Sequence, residues 1–280
     1  MDRIELFGRL ASFGDAAAII DGNGPHSYNG LLASSRAVAS SLLSGERDLE
    51  EKRVAFLMPS SFEYAAVLLG IWLAGGVAVP LCVSHPDPEL DYVLEDSGAG
   101  FVISAPGFGE RLARLAGSRG ASYIPVGDAL SARSAPLPDL NGERRAMIIY
   151  TSGTTSRPKG VVTTHDNIRA QIGSLVTAWE WSRSDFILDV LPLHHLHGIL
   201  NVMLCALYSG ARCEMMNGFD SGRVWKKFIE RDYTLFMAVP TIYSRLIRTF
   251  EEAGDAEKET MSRACRKMRL MVSGSAALPV

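Results

Sequence analysis

The chain has 280 residues, 47% of them hydrophobic and 21% charged, with a net charge of −3. That is enough apolar material for a large core and for more than one sheet. The lack of a basic excess argues against nucleic acid or an anionic membrane surface as a partner.

The N-terminus, Met1-Asp-Arg-Ile-Glu5, carries early acids and no long apolar run, unlike a signal or transit peptide. From residue 53 onward, apolar runs of strand length alternate with amphipathic helical patterns. Residues 53–58 read as a strand, 62–74 as a helix, 77–81 as a strand and 88–97 as a helix. Residues 101–104 then read as a strand and 110–116 as a helix. Residues 65–83 carry no charge and are long enough to span a bilayer, but Gly75 and Gly76 stop the helix inside that window. The expectation is a buried helix followed by a short strand.

Residues 127–145 are rich in Ser, Ala, Pro and charge, with Pro136 and Pro138 among them. They form the linker candidate, a boundary that could divide the chain into two sheet-forming halves. Beyond it, strands are expected at 146–151, 186–191, 212–216, 235–239 and 270–273. Helices are expected at 165–179, 198–209, 221–231 and 241–253. This alternation predicts an α/β fold with largely parallel sheets. Cys82, Cys205, Cys213 and Cys265 form no CxxC pair and read as free thiols. The last residues read as a strand entering a glycine loop, so a piece of a longer protein is expected.

One stretch stands out: Ile149-Tyr-Thr-Ser-Gly-Thr-Thr-Ser-Arg-Pro-Lys-Gly160. It follows an apolar strand and combines four hydroxyl side chains between Thr151 and Thr155 with two glycines and two cations. Backbone N–H groups, hydroxyls and positive charge together suit a group with many negative oxygens, above all a nucleotide triphosphate. The order of residues is neither that of a GxxxxGK[ST] loop nor that of a GxGxxG loop. A second cluster, Leu191-Pro-Leu-His-His-Leu-His-Gly198, holds half of all the histidines. A metal site is one reading of it, but no Cys or carboxylate lies close in sequence to complete a ligand set. A strand end carrying polar side chains on a loop is another.

The first stretch resembles the signature of the adenylate-forming superfamily of acyl-CoA synthetases, luciferases and peptide-synthetase adenylation domains. That signature usually reads Thr-Ser-Gly-Thr-Thr-Gly-x-Pro-Lys-Gly, and here Ser156 takes the place of the central glycine. The resemblance implies two stacked, mostly parallel sheets with helices, the large N-terminal domain of such enzymes, over residues 1–280. It implies that Thr151, Ser152, Gly153, Thr154, Thr155, Ser156, Arg157, Pro158 and Lys159 contact the ATP phosphates. Pro192-Leu193-His194-His195 falls on the family's second motif, which implies that His195 lies near the acyl carboxylate. His194 then occupies an aromatic gate position, where histidine is a polar departure.

Closer still, the chain resembles malonyl-CoA synthetases, through the histidine cluster, Phe236-Met-Ala-Val-Pro-Thr-Ile-Tyr-Ser-Arg-Leu246 and Met271-Val-Ser-Gly-Ser-Ala276. A dicarboxylate needs a second cation for its distal carboxylate. His197 and Arg245 are the candidates, and Arg245 reads equally as a solvated helix residue. Ser273, Gly274 and Ser275 match a glycine-rich segment lining the acyl and adenosine pocket. ATP, Mg²⁺, coenzyme A and a small acid, malonate or methylmalonate, are the implied substrates, with no resident metal. Lys159 and His195 are the residues to which the resemblance assigns catalytic roles.

The family's Tyr-Gly-x-Thr-Glu motif, its ribose-binding Asp and its C-terminal lysine domain do not occur before Val280. The expectation is therefore half an enzyme, inactive by itself. A ligase for another acid, a carrier-loading adenylation domain and a non-catalytic truncated product remain alternatives. The compartment expected is the cytoplasm, with an organelle as the alternative.

Overall fold

A computed structural model describes residues 4–133, 135–151 and 157–277. The chain opens with α1 (Glu5–Ser12), the hairpin β1 (Ala17–Asp21) and β2 (Gly24–Ser27), and α2 (Tyr28–Leu43). A run of alternating units follows: β3 (Arg53–Leu57), α3 (Phe62–Leu73), β4 (Val77–Pro80), α4 (Asp87–Ser97), β5 (Phe101–Ser104), α5 (Gly109–Ser118), β6 (Ser122–Pro125) and α6 (Val126–Ser131). A second hairpin, β7 (Arg145–Thr151) and β8 (Lys159–Thr164), leads into α7 (His165–Ala178). After β9 (Phe186–Asp189), a π-helical segment (His197–Leu204) runs on into α8 (Cys205–Ser209). The rest is β10 (Arg212–Met215), α9 (Ser221–Glu230), β11 (Leu235–Ala238), α10 (Pro240–Glu252), α11 (Asp255–Cys265) and β12 (Leu270–Ser273).

The strands form two six-stranded sheets, β12-β11-β9-β10-β1-β2 and β6-β5-β3-β4-β7-β8. Each is parallel except at one edge, where a hairpin, β1–β2 or β7–β8, adds an antiparallel strand. The expected largely parallel α/β fold is what the chain adopts, and the strands expected from residue 53 onward are all present. Residues 127–145 carry most of α6 and then irregular chain, and they join β6 to β7 within the same sheet. The first sheet draws its strands from both ends of the chain.

Strand β3 shows how the layers arise. Val54 and Phe56 face a core shared with α2 and α3, whereas Ala55 and Leu57 face a second core with Leu90, Val93 and Leu94 of α4 and Leu112 and Leu115 of α5. Period-two alternation thus gives the second sheet a helical layer on each face.

Helix α3 is buried from Tyr64 through Trp72 and apolar on every side, which places it between layers. Ser61 caps its start through Oγ, 3.2 Å from the Tyr64 N–H. It stops where Gly75 takes a φ of 76°. Three long-range hydrogen bonds tie it to both sheets. The Phe62 N–H donates to Asp21 Oδ2 of β1 at 2.9 Å. Tyr64 Oη donates to the Leu193 carbonyl, just past β9, at 2.5 Å. Trp72 Nε1 donates to the Ala146 carbonyl of β7 at 2.7 Å. No helix among the described residues is long and apolar enough to cross a membrane.

His165 opens α7 edge-on to Trp72, with ring centroids 5.4 Å apart. Burial, and then the nearby Arg144 cation, pushes its pKa from 6.5 down to about 4. The unfolded chain takes up this proton at higher pH than the folded one. Stability should therefore fall as pH drops from 6.5 toward 4. Urea melts of His165→Phe should show a shallower dependence of unfolding free energy on pH across that window; an identical slope would refute this account.

Candidate active site at the carboxyl ends of both sheets

The loops that follow β3, β4, β9, β10 and β11 meet at one place. They line a cavity of about 520 Å³ through Pro59, Leu81, Pro192, Phe219 and Val239, with Arg245 of α10 on its wall. Ligands in parallel α/β sheets gather at the strands' carboxyl ends, and here two sheets supply those ends together. A second cavity of about 740 Å³ lies between α4 and the mouth of the β7–β8 hairpin, bounded by Tyr92, Tyr150, Thr151, Arg157 and Pro158. His194 and His195 line both cavities.

At the hairpin mouth Thr151 pairs with Lys159, and Tyr150 with Gly160. A Cβ on Gly160 would lie 2.9 Å from Ile148 Cγ2 and 3.2 Å from Tyr150 Cζ, so glycine there lets the Tyr150 ring cross the partner strand. Thr151, Arg157 and Lys159 are exposed. Ser152, Gly153, Thr154, Thr155 and Ser156 lie outside the described residues.

The histidine loop is held by buried polar contacts. At the end of β9 the Asp189 carboxylate accepts the Leu191 N–H at 2.9 Å, and Tyr64 holds the Leu193 carbonyl. Burial raises Asp189 to about 7, and its Oδ2 has no partner among the described residues. The His194 and His195 rings lie 4.0 Å apart between centroids, tilted by 47°. His85 stands 6.0 Å from His194, with its Nδ1 3.3 Å from Glu89. Burial lowers the pKa of His194, and burial together with the His194 and His85 rings lowers that of His195. Both are therefore neutral at pH 7 and offer hydrogen bonds rather than full charge.

Arg245 is exposed on α10, and its side chain has no ion-pair or hydrogen-bond partner among the described residues. It is the cation of the first cavity. Cavity walls that combine Leu81, Val83 and Ile242 with His194, His195 and Arg245 suit a short acid with a polar far end.

His197 does not join them. It is buried at the start of the π-helical segment, where its Nδ1 sits 2.9 Å from Ser275 Oγ. Burial lowers its pKa, and its Nε2 has no partner among the described residues. The expected cationic role beside the distal carboxylate is not supported by this placement, because the helical turn carries the ring away from the loop. Ser273 ends β12, Gly274 and Ser275 follow it beside His197, and none of the three lines either cavity among the described residues. Sequence reasoning missed His85, Tyr64, Tyr92, Asp96 and Asp189. Only His85, in a Pro-flanked turn before α4, carried a local signal.

Two sheets whose joined carboxyl ends carry the mouth of the β7–β8 hairpin and a histidine loop define the large N-terminal domain of adenylate-forming enzymes. The chain belongs to the AMP-binding enzyme family, which matches residues 6–280. A mitochondrial malonate–CoA ligase of Mus musculus is 40% identical, covering 99% of this chain and 50% of that protein. A malonate–CoA ligase of Arabidopsis thaliana is 35% identical, covering 84% of this chain and 42% of its own length. The chain thus spans about half the length of the curated relatives it matches. Among solved structures, apo MatB from Rhodopseudomonas palustris superimposes with a TM-score of 0.85 at 29% identity, over 99% of this chain and 56% of that one. The ATP-bound form of the same protein gives 0.85 at 30% identity, over 98% and 55%.

Gly198 lets the helix start close behind the histidine loop: a Cβ there would lie 3.0 Å from the Pro192 carbonyl oxygen and 3.2 Å from Leu191 Cβ. Gly198→Ala should cost about 1–3 kcal/mol in urea melts, because backbone cannot yield cheaply. Gly173→Ala, in open space on α7, should instead be neutral or stabilise by up to about 1 kcal/mol. Equal behaviour of the two would refute the close-packing argument.

Proposed function

We propose that this chain is the nucleotide- and acid-binding half of an ATP-dependent acid–CoA ligase, acting on malonate or a methyl-substituted relative. The observation that carries the reading is the histidine pair shared by two cavities. One cavity takes the acid and the other takes the phosphates, so the carboxylate and the α-phosphorus meet at His194 and His195.

The chemistry has two steps. A carboxylate oxygen attacks the α-phosphorus, forming the acyl–phosphate bond as the bond to the β-phosphate's bridging oxygen breaks and pyrophosphate leaves. The thiol of coenzyme A then attacks the acyl carbon, AMP departs, and the thiol proton passes to solvent. A carboxylate is already ionised at neutral pH, so the first step asks for positioning and charge compensation rather than acid–base catalysis. Mg²⁺ enters with ATP as part of the substrate.

Within this reading, the hydroxyls and amides from Thr151 to Ser156, with Arg157 and Pro158, hold the phosphate oxygens. Lys159 offsets charge on the departing pyrophosphate. The neutral imidazole of His195 holds the attacking carboxylate, and His194 shapes the gate between the cavities. Arg245 pairs with the distal carboxylate. Ser273, Gly274 and Ser275 border the adenosine side, and His197 acts on them through Ser275. The malonate–CoA ligases among the relatives support the choice of acid, and the mitochondrial ones support an organelle as the alternative to the cytoplasm.

The test is pyrophosphate exchange by the protein at the full length of its relatives, screened over malonate, methylmalonate, acetate, medium-chain acids and amino acids. Malonate or methylmalonate should be preferred. Arg245→Ala should lower kcat/KM for malonate by about 10- to 100-fold while changing that for acetate by less than about twofold. Lys159→Ala should slow adenylate formation with every acid. Preference for a monocarboxylic acid or an amino acid, or equal losses for malonate and acetate in Arg245→Ala, would overturn the reading.

A further inference from the structure

Helix α4 presents two adjacent stripes to two different partners. Asp87, Asp91 and Glu95 recur every four residues and so share one face. All three meet arginines of the α5 region. Arg111 and Arg114 both bind Asp87. Arg119 reaches Asp91 at 2.5 Å and Glu95 at 2.8 Å. Arg111 also donates to the His85 carbonyl at 2.6 Å, fixing the turn that opens the helix. Leu90, Val93 and Leu94 bury a third face against the second sheet. The helix is thus fastened from behind and from below.

The stripe one position further round, Tyr92 and Asp96, faces the β7–β8 hairpin. Tyr92 Oη donates to the Pro158 carbonyl at 2.9 Å, on the residue just before the strand that leaves the loop. Asp96 Oδ2 accepts from Tyr150 Oη at 2.6 Å, on the strand that enters it. The two tyrosine rings meet edge-on at 6.3 Å, and the Arg157 guanidinium lies 5.5 Å from the centre of the Tyr92 ring. One helix face therefore grips both legs of the hairpin beside the facing pair Thr151 and Lys159, at Tyr150 on its strand side and at Pro158 on its loop side.

We propose that Tyr92 and Asp96 are positioning residues that set the spacing and height of the hairpin mouth for the nucleotide phosphates. The inference rests on the acid–CoA ligase reading for its ligand. The physical reason is that a loop of amides and hydroxyls binds phosphate well only where its donors are already aimed. A β-hairpin at a sheet edge has no second neighbouring strand to hold it. Helix α4 supplies the missing constraint, and the ion pairs to α5 make that helix a fixed reference. Neither Tyr92 nor Asp96 needs to touch substrate.

The test uses the full-length protein with three variants, Tyr92→Phe, Asp96→Ala and Asp96→Asn. Tyr92→Phe removes one hydroxyl and keeps the ring against Tyr150 and Arg157. It and Asp96→Ala should each raise the KM for ATP by about three- to tenfold, the worth of one lost hydrogen bond. The KM for the acid and the thermal midpoint should stay put. Asp96→Asn keeps an oxygen to accept from Tyr150 and should restore the parental KM for ATP. Unchanged ATP KM in Tyr92→Phe and Asp96→Ala would overturn the proposal, as would parallel rises for ATP and acid with a lowered midpoint. Calorimetric titration with ATP alone separates this from the choice of acid. Weaker ATP binding by Tyr92→Phe than by the parent supports the clamp whatever acid the enzyme takes, equal binding refutes it, and no binding by the parent refutes both.

Discussion

The site exists because α3 has nowhere to go but between the sheets. Its sequence leaves no polar face to turn to water, so burial on all sides is its low-energy placement. Its hydrogen bonds then decide which parts of the sheets it brings together. Asp21 and Leu193 belong to the first sheet and its loops, and Ala146 belongs to the second. Because α3 directly follows β3, its start lies at the carboxyl ends of the second sheet's strands. The bond from Tyr64 to the Leu193 carbonyl draws the corresponding end of the first sheet to the same place.

From that meeting point follows the electrostatic character of the site. The loops carry imidazoles that burial keeps neutral, while the fixed positive charge sits on Arg245 at one cavity and on Arg157 and Lys159 near the other. Under the proposed function, a dianionic acid and a polyanionic nucleotide would then occupy neighbouring cavities without a cation between them competing for both. On the proposed ligase reading, such a site works by positioning, since an attacking carboxylate needs no base.

Much of this was legible beforehand from residue 53 onward. The apolar runs near Phe56, Ile103, Leu188 and Phe236 are bounded by turns and are too short for helices, and each is a strand within two residues or so of its expected limits. The elements within the first fifty residues carry weaker local signals. Strand β2 is Gly-Pro-His-Ser, which carries no strand pattern and is held by pairing along β1. Helix α2 is interrupted by serines, yet Ser35 and Ser40 return their hydroxyls to the Leu31 and Arg36 carbonyls and so enter the core satisfied. Strand β8 carries no strand pattern because its valines are exposed at a sheet edge, where alternation is not enforced.

Local order in the sequence determined the hydroxyl-rich stretch, the histidine loop and the parallel α/β class, because each is written in contiguous residues whose spacing and chemistry can be matched directly. Tertiary structure alone decided that His194 and His195 belong to two cavities, that His197 turns away to Ser275, and that Tyr92 and Asp96 grip the hairpin from a helix more than fifty residues earlier. Those contacts depend on how layers stack and where a helical turn aims a ring. No local pattern encodes them, because the energy that fixes them comes from burying α3 and the sheets as a unit.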